Sequence, residues 1–298
     1  MPTRVIWPTY TIGAWAANAD DDSGCRWVVD KQTLTDGVGR KTHVSERPFG
    51  MGAYRDRSYP AARTGVIQGW CQAPDRAGRV AARDRLMGLF PDGGQALLVV
   101  DDGIAARQLL VELDSDVPRC SVWSTGEGFD WQLPMLAADP RFLDTAARSV
   151  PTTIGTAASD GLNWNAGSPG GLDWTAGSPG GLDWGTSGSG GLLTLANPGS
   201  EITWPTFTIT TLTTLTNPVL TNPATGDVLA YNGTIDAGQT LTIDCSPFTR
   251  SVTLNGIDRS GALSSAQWID IPAGRTTTVQ AAGTGSGTIT ATWRYAYN

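Results

Sequence analysis

The 298-residue sequence predicts a mainly β protein: an α+β N-terminal part with one main helix, then a C-terminal β-sandwich. Three observations carry that prediction. In the first half a single helical stretch, residues 74–89, stands among short strand signals. From Leu192 onward the chain is a succession of Thr-, Leu- and Ile-rich segments cut by Gly, Pro and Asn turns. Between the two lies a decapeptide repeat, GLNWNAGSPG, GLDWTAGSPG and GLDWGTSGSG, closed by Gly191, in which Trp164, Trp174 and Trp184 recur at a period of ten. The domains expected are residues 1–152, a junction over 153–191, and 192–298. Flexible linkers are Gly/Ser-rich without large aromatics, so a Trp in every unit marks the junction as anchored.

In the first part, residues 4–12 predict a strand interrupted at Pro8, and residues 25–34 a second with loose alternation. Residues 44–63, with Tyr54, Arg55, Arg57, Tyr59 and Arg63, read as an extended surface or interface segment. Residues 65–71 form a short strand. The helix starts near Pro74, places Ala77, Val80, Ala81, Leu86 and Leu89 roughly on one face, and stops at Gly93-Gly94. Strands follow over 96–100 and 105–113 about an Asp101-Asp102-Gly103 turn, then over 117–124 and 129–137. Residues 150–159 read as a small-residue spacer. In the second part, strand signals fall at 192–196, 202–209, 219–222, 228–231, 240–244, 251–254, 267–271, 277–280 and 288–296. Period-two alternation over 240–244 and 288–293 supports a sandwich.

Composition bounds the function. Lys and Arg number 21 against 28 Asp and Glu, for a formal charge of −7 and a pI near 4.7. That balance argues against duplex nucleic acid as a general partner. No 18-residue apolar run is present, so no membrane span is expected, and the N-terminal residues lack the apolar stretch of a Sec signal. Cys25, Cys71, Cys120 and Cys245 are scattered without a CxxC. They permit disulfides, but a chain of this size needs no staples, and buried free thiols are the favoured reading. With His43 the single histidine, no multi-histidine metal site can form. Asp20-Asp21-Asp22 lacks the spaced oxygens of a calcium loop, and no phosphate cradle or nucleophile elbow is present. No catalytic, metal or cofactor residues are predicted. The protein is expected not to be an enzyme.

Several stretches, in order, carry a family resemblance. They are Leu89-Phe90-Pro91-Asp92-Gly93 after the helix, Val99-Val100-Asp101-Asp102-Gly103, Gly128-Phe129-Asp130-Trp131-Gln132-Leu133 and Ala137-Ala138-Asp139-Pro140-Arg141-Phe142. Together they resemble the distal tail protein (Dit) family of long-tailed, siphovirus-like phages. Trp204-Pro205-Thr206-Phe207-Thr208-Ile209, Asn217-Pro218, residues 237–244, Val252-Thr253-Leu254-Asn255-Gly256 and Ile271-Pro272-Ala273-Gly274 resemble that family's C-terminal galectin-like sandwich. The Trp repeat departs from the family pattern.

The resemblance implies a ring-forming, tail-tube-like N-terminal belt domain in a structural virion protein, a minor tail or baseplate component at the tail tip. Its partners would be its own copies in a hexameric ring, the tail tube protein, the tape measure and the tail hub. DNA would pass through the lumen without specific binding, consistent with the net negative charge. The alternative is a carbohydrate-binding host-adhesion module acting through the sandwich and the repeat. Trp164, Trp174 and Trp184 are then the candidate docking or glycan contacts, whereas Trp204, Trp268 and Trp293 read as core or sheet-face residues. A free hydrolase accessory domain is the least supported class.

Overall fold

In the computed structural model, which describes residues 7–19, 23–56, 58–114, 118–124, 126–154 and 191–298, apolar side chains of the first half line the inside of a curled antiparallel sheet. Its strands run in the order Trp15–Ala17, Thr9–Ile12, Ala96–Asp101, Ala106–Leu113, Gly128–Ala137, Arg63–Gln72, Arg26–Gln32. Arg119–Val122 adds to Gly128–Ala137, and Phe142–Asp144 adds to Ala106–Leu113. Along Gly128–Ala137, Phe129, Trp131, Leu133, Met135 and Ala137 alternate inward and are buried. Trp15 and Trp27 meet Trp131 edge-on, and Phe129 meets Trp27 likewise at 5.6 Å. Edge-to-face contact sets the positive ring edge against the negative face, so the cluster fixes orientation as well as filling volume.

Asn18 closes the curl. Its side chain donates to the Pro8 carbonyl and accepts from the Val29 amide, each at 2.8 Å. Its backbone amide donates to the Trp27 carbonyl, and its φ of 61° suits a residue that tolerates the left-handed region. Gly69 lies opposite the register shift between Val29 and Lys31. A Cβ there would fall 1.8 Å from the Val28 carbonyl oxygen, so the bulge requires glycine.

The helix is Arg76–Met87, capped by Asp75, whose carboxylate accepts from the Gly78 amide at 2.7 Å. Its position matches expectation, and Leu86 and Leu89 face the core as expected, but the other three residues of the expected face do not. Ala82 and Leu86 are buried, with Leu89 packed beside them, while Ala77, Val80 and Ala81 are exposed. At 100° per residue the stripe 82, 86, 89 lies well round the helix from 77, 80, 81, and small side chains blur the difference.

Two compact units divide the chain, Met1–Thr145 with Ala296–Asn298, and Ala146–Tyr295. Two expected boundaries therefore move. Arg148–Ile154, expected partly as a spacer, is an edge strand paired along its length with Gly287–Trp293, so the second unit begins before residue 152. Pro151 hid it from pattern reading. Proline is tolerated there because an edge strand leaves one row of groups unpaired. At the other end, Ala296–Tyr297 leaves the second unit and pairs with Phe142–Asp144 in the first.

The second unit is a sandwich. One sheet runs Arg148–Ile154, Gly287–Trp293, Thr206–Thr211, Thr240–Asp244, Ser251–Leu254, Ile257–Asp258. The other runs Leu192–Asn197, Arg275–Thr284, Leu215–Thr221, Val228–Tyr231, Leu263–Ala266, with Thr234–Ile235 beside Leu215–Thr221. Phe207, Ile209, Leu241, Ile243, Ile289 and Ala291 face Leu193, Leu195, Leu220, Leu229 and Val279 across the core. Outward threonines pair across strands, Thr208 with both Thr242 and Thr290. This gives β-branched residues a half-buried pleated surface. The strand expected over 267–271 lies earlier, at Leu263–Ala266, and Ile271 makes only an isolated bridge to Thr203.

Both flanks of the Trp repeat belong to the sandwich unit, Ile154 at one side and Gly191 at the other. Gly191 has φ 80°, its carbonyl accepts from the Ala281 amide, and a Cβ would approach the Ala281 oxygen to 2.0 Å. The repeat is thus inserted within the sandwich unit, not at the seam between two domains as expected. Trp164, Trp174 and Trp184 themselves lie outside the described residues, as does Asp20-Asp21-Asp22.

Candidate interface: an exposed hairpin in the first unit

The segment expected to be an extended surface or interface stretch folds as a hairpin in two tiers. Arg40–Lys41 pairs with Tyr59–Pro60, and Val44–Glu46 pairs with Ala53–Arg55. Between the tiers the Asp56 amide donates to the His43 carbonyl at 3.0 Å, and Thr42 donates to the Ser58 hydroxyl. At the tip, Phe49 and Met51 are 96% and 95% exposed, flanked by Gly50 and Gly52 at φ 124° and 90°. Val44, Tyr54 and Tyr59 are also more than half exposed. Arg47 lies over the Tyr54 ring at 4.8 Å, and His43 stands 3.9 Å from Asp56 on the surface.

A lone two-stranded ribbon is marginal in water, and contiguous exposed apolar side chains mark contact surfaces. The ribbon mixes cations (Arg40, Lys41, Arg47, Arg55) with acids (Glu46, Asp56), which suits complementary contact with another polar protein surface. The sequence pattern singled out Tyr54, Arg55, Arg57 and Tyr59 but not Phe49 or Met51. The available signal was the Gly50-Met51-Gly52 turn between two short β-like triplets.

Arg63, grouped in sequence with those surface residues, is instead 2% exposed. Its guanidinium donates to the carbonyls of Leu34, Asp36 and Pro140 and to Asn298 Oδ1, and it covers the Phe142 ring at 4.7 Å. Burial lowers its pKa, opposed by the Asp36 charge. Leu34 and Asp36 precede the hairpin and Arg63 follows it, so this residue fastens both feet of the ribbon.

Asp102 closes the turn between Ala96–Asp101 and Ala106–Leu113. Amide bonds from Ala105 and Ile104 hold its carboxyl below the ordinary value. The four cysteines are free thiols. Burial pushes Cys245 up to about 12, and Cys120 also rises by burial. A concavity of about 400 Å³ in the first unit is lined by Asp30, Gln68, Gly69, Arg119, Cys120, Ser121, Asp130, Trp131 and Gln132. Among the described residues no group of three or more His, Cys, Asp or Glu is placed to hold a metal. Trp293 is buried and donates to the Ala196 carbonyl, while Trp204 and Trp268 are half-buried against the sandwich core, as the sequence indicated.

The first unit is a curled antiparallel sheet with one helix and an exposed ribbon, and the second unit is a sandwich. Residues 198–297 match the family described as siphovirus-type tail component, C-terminal domain. Among solved structures, the chain is similar to the crystal structure of phage SPP1 Dit (gp 19.1), described as a paradigm of the hub adsorption apparatus in phages infecting Gram-positive hosts. The TM-score is 0.63 at 12% identity, over 97% of this chain and 100% of that one. It is also similar to chains of the phage p2 baseplate in its activated conformation. With calcium the TM-score is 0.53 at 9% identity over 96% and 98% of the two chains. With strontium it is 0.52 at 9% over 95% and 97%. No curated protein matches. The chain has the distal tail protein fold.

Proposed function

We propose that this protein is a non-enzymatic virion component of a long-tailed phage. Its copies form a ring, hexameric as the family resemblance implies, between the tail tube and the baseplate at the tail tip. The observation that carries this reading is fold likeness to SPP1 Dit over 97% of this chain and 100% of that one, joined to the family match over residues 198–297. The hairpin supplies a physical means. Phe49 and Met51 gain a dry environment only when another protein covers them, and the neighbouring copy or an adjoining tail protein is the natural cover. The ring requires no bond chemistry. Its lumen passes DNA, and the net charge of −7 disfavours its sticking to the wall. The finer description of the sandwich as galectin-like rests on the sequence resemblance. Native mass measurement of the purified chain, alone and with tail tube and hub proteins, tests the proposal. A multi-copy ring is expected, and a persistent monomer in both conditions would count against it.

A second reading has one observation in its favour: both flanks of the Trp repeat are in the sandwich unit, so the sandwich carries the repeat. In that reading Trp164, Trp174 and Trp184 contact host surface glycans. A pull-down on cell-wall glycan with wild type and the triple Trp→Ala variant decides it: binding lost in the variant is expected, and absence of binding by either sinks it.

A further inference from the structure

We infer that Ala296–Asn298, the residues that follow the sandwich in the chain, act as a latch that completes the first unit and fixes the mount of the exposed hairpin. The hairpin then reaches its assembly-ready root only after the chain has been made through Asn298. This rests on reading the hairpin as an interface.

Three contacts seat the latch in the first unit. Ala296 and Tyr297 pair antiparallel with Leu143 and Phe142. Phe142–Asp144 in turn pairs with Ala106–Leu113, at Gln108 and Arg107. The Arg107 guanidinium lies over the Tyr297 ring at 4.2 Å, and the side chain of Asn298 accepts from Arg63 at 3.2 Å. Ala296 is fully buried, so the tripeptide is set into the fold rather than laid along it.

Arg63 connects these contacts to the hairpin. A guanidinium has five N–H donors in a rigid plane, and burying it is costly unless those donors are met. Here the acceptors are backbone carbonyls on the entering foot (Leu34, Asp36), the Pro140 carbonyl, and the Asn298 side chain. Phe142, which packs under the guanidinium, is the residue that pairs with Tyr297. Removing the tripeptide takes away one acceptor, one strand partner and the ring over which Arg107 lies. The strain falls on Arg63 and thus on both feet of the ribbon. Because the sandwich lies between residue 145 and residue 296, the first unit stays incomplete while the sandwich is being synthesised. Premature ring closure by half-made chains is thereby disfavoured.

Hydrogen exchange on the full chain tests this. The reporters are the hairpin-root amides of Ala61, which donates to Gly39, and Thr33, which donates to Val66. Three proteins are compared with wild type: a deletion of residues 296–298, the double variant Tyr297→Ala/Asn298→Ala, and Arg63→Lys. Each should exchange roughly tenfold faster at Ala61 and Thr33, while Thr208 and Leu241 in the sandwich keep their rates. Unchanged root rates in the variants overturn the latch. Should the deletion fail to fold, the double variant decides alone. Exchange at the root does not require ring formation. A wild type that never forms rings therefore removes the interface reading without deciding the latch.

Discussion

Trp15 stands edge-on to Trp131, ring centroids 5.5 Å apart at 89°, and both are buried at the centre of the first unit's curled sheet. Strands distant in sequence meet there, so the contact reports whether the sheet has closed. Trp131→Ala should destabilise the first unit by about 3–5 kcal/mol, the range for aromatic truncation in a packed core. Denaturant unfolding should show that unit's midpoint falling while the sandwich transition is unmoved. A change below about 1 kcal/mol would show the cluster to be loosely packed.

Asp102 gives a pH-dependent reporter. Its carboxylate accepts from the Ile104 and Ala105 amides, which lowers its pKa from 3.8. A lowered acid favours the native state above its unfolded value, and that contribution disappears as pH falls through the lower native value. The Ala105 amide shift should therefore titrate with a midpoint below 3.8. A midpoint at or above it contradicts the turn geometry.

Cys245 behaves in the opposite sense. Its thiol, buried in the sandwich, rises from 9.0 to about 12. Above pH 9.0 the unfolded chain gives up a proton that the native chain keeps, so sandwich stability should fall as pH climbs from 9.0 toward 12. Cys245→Ala should flatten that slope. In native protein at pH 8, iodoacetamide should leave Cys245 unmodified until the sandwich unfolds. Modification at the native-state rate of an exposed thiol would exclude the burial described.

How much of this was legible depends on whether the cause was local. Val228–Tyr231, Thr240–Asp244 and Ser251–Leu254 fall where the sequence placed them, because short β-prone runs punctuated by turn residues are a local pattern. The helix was placed correctly, with Leu86 and Leu89 on the buried side, but Ala77 and Ala81 were taken for Ala82, because they are equally apolar and only packing separates them. Arg148–Ile154 escaped because Pro151 argues against a strand unless the strand is known to be an edge. Ala296–Tyr297 escaped because its partner, Phe142–Asp144, lies more than 150 residues away, and pairing at that distance leaves no local signature.

The exposed hairpin followed the same division. An exposed, mixed-charge segment was readable from Arg55 and Tyr59. The burial of Arg63 was not, because three of its acceptors are backbone carbonyls at Leu34, Asp36 and Pro140, which any residue type could supply.

Native mass spectrometry tests the proposed ring assembly through the exposed hairpin most directly. The pair compared is wild type and Phe49→Ser/Met51→Ser, each with and without tail tube and hub proteins. Surface substitutions of this kind should move stability by no more than about 0.5 kcal/mol. Wild type should assemble into closed multi-copy rings, and the variant should remain monomeric with an unchanged unfolding midpoint. Wild type that stays a monomer at high concentration with those partners present, or a variant that forms rings as readily as wild type, would contradict the account.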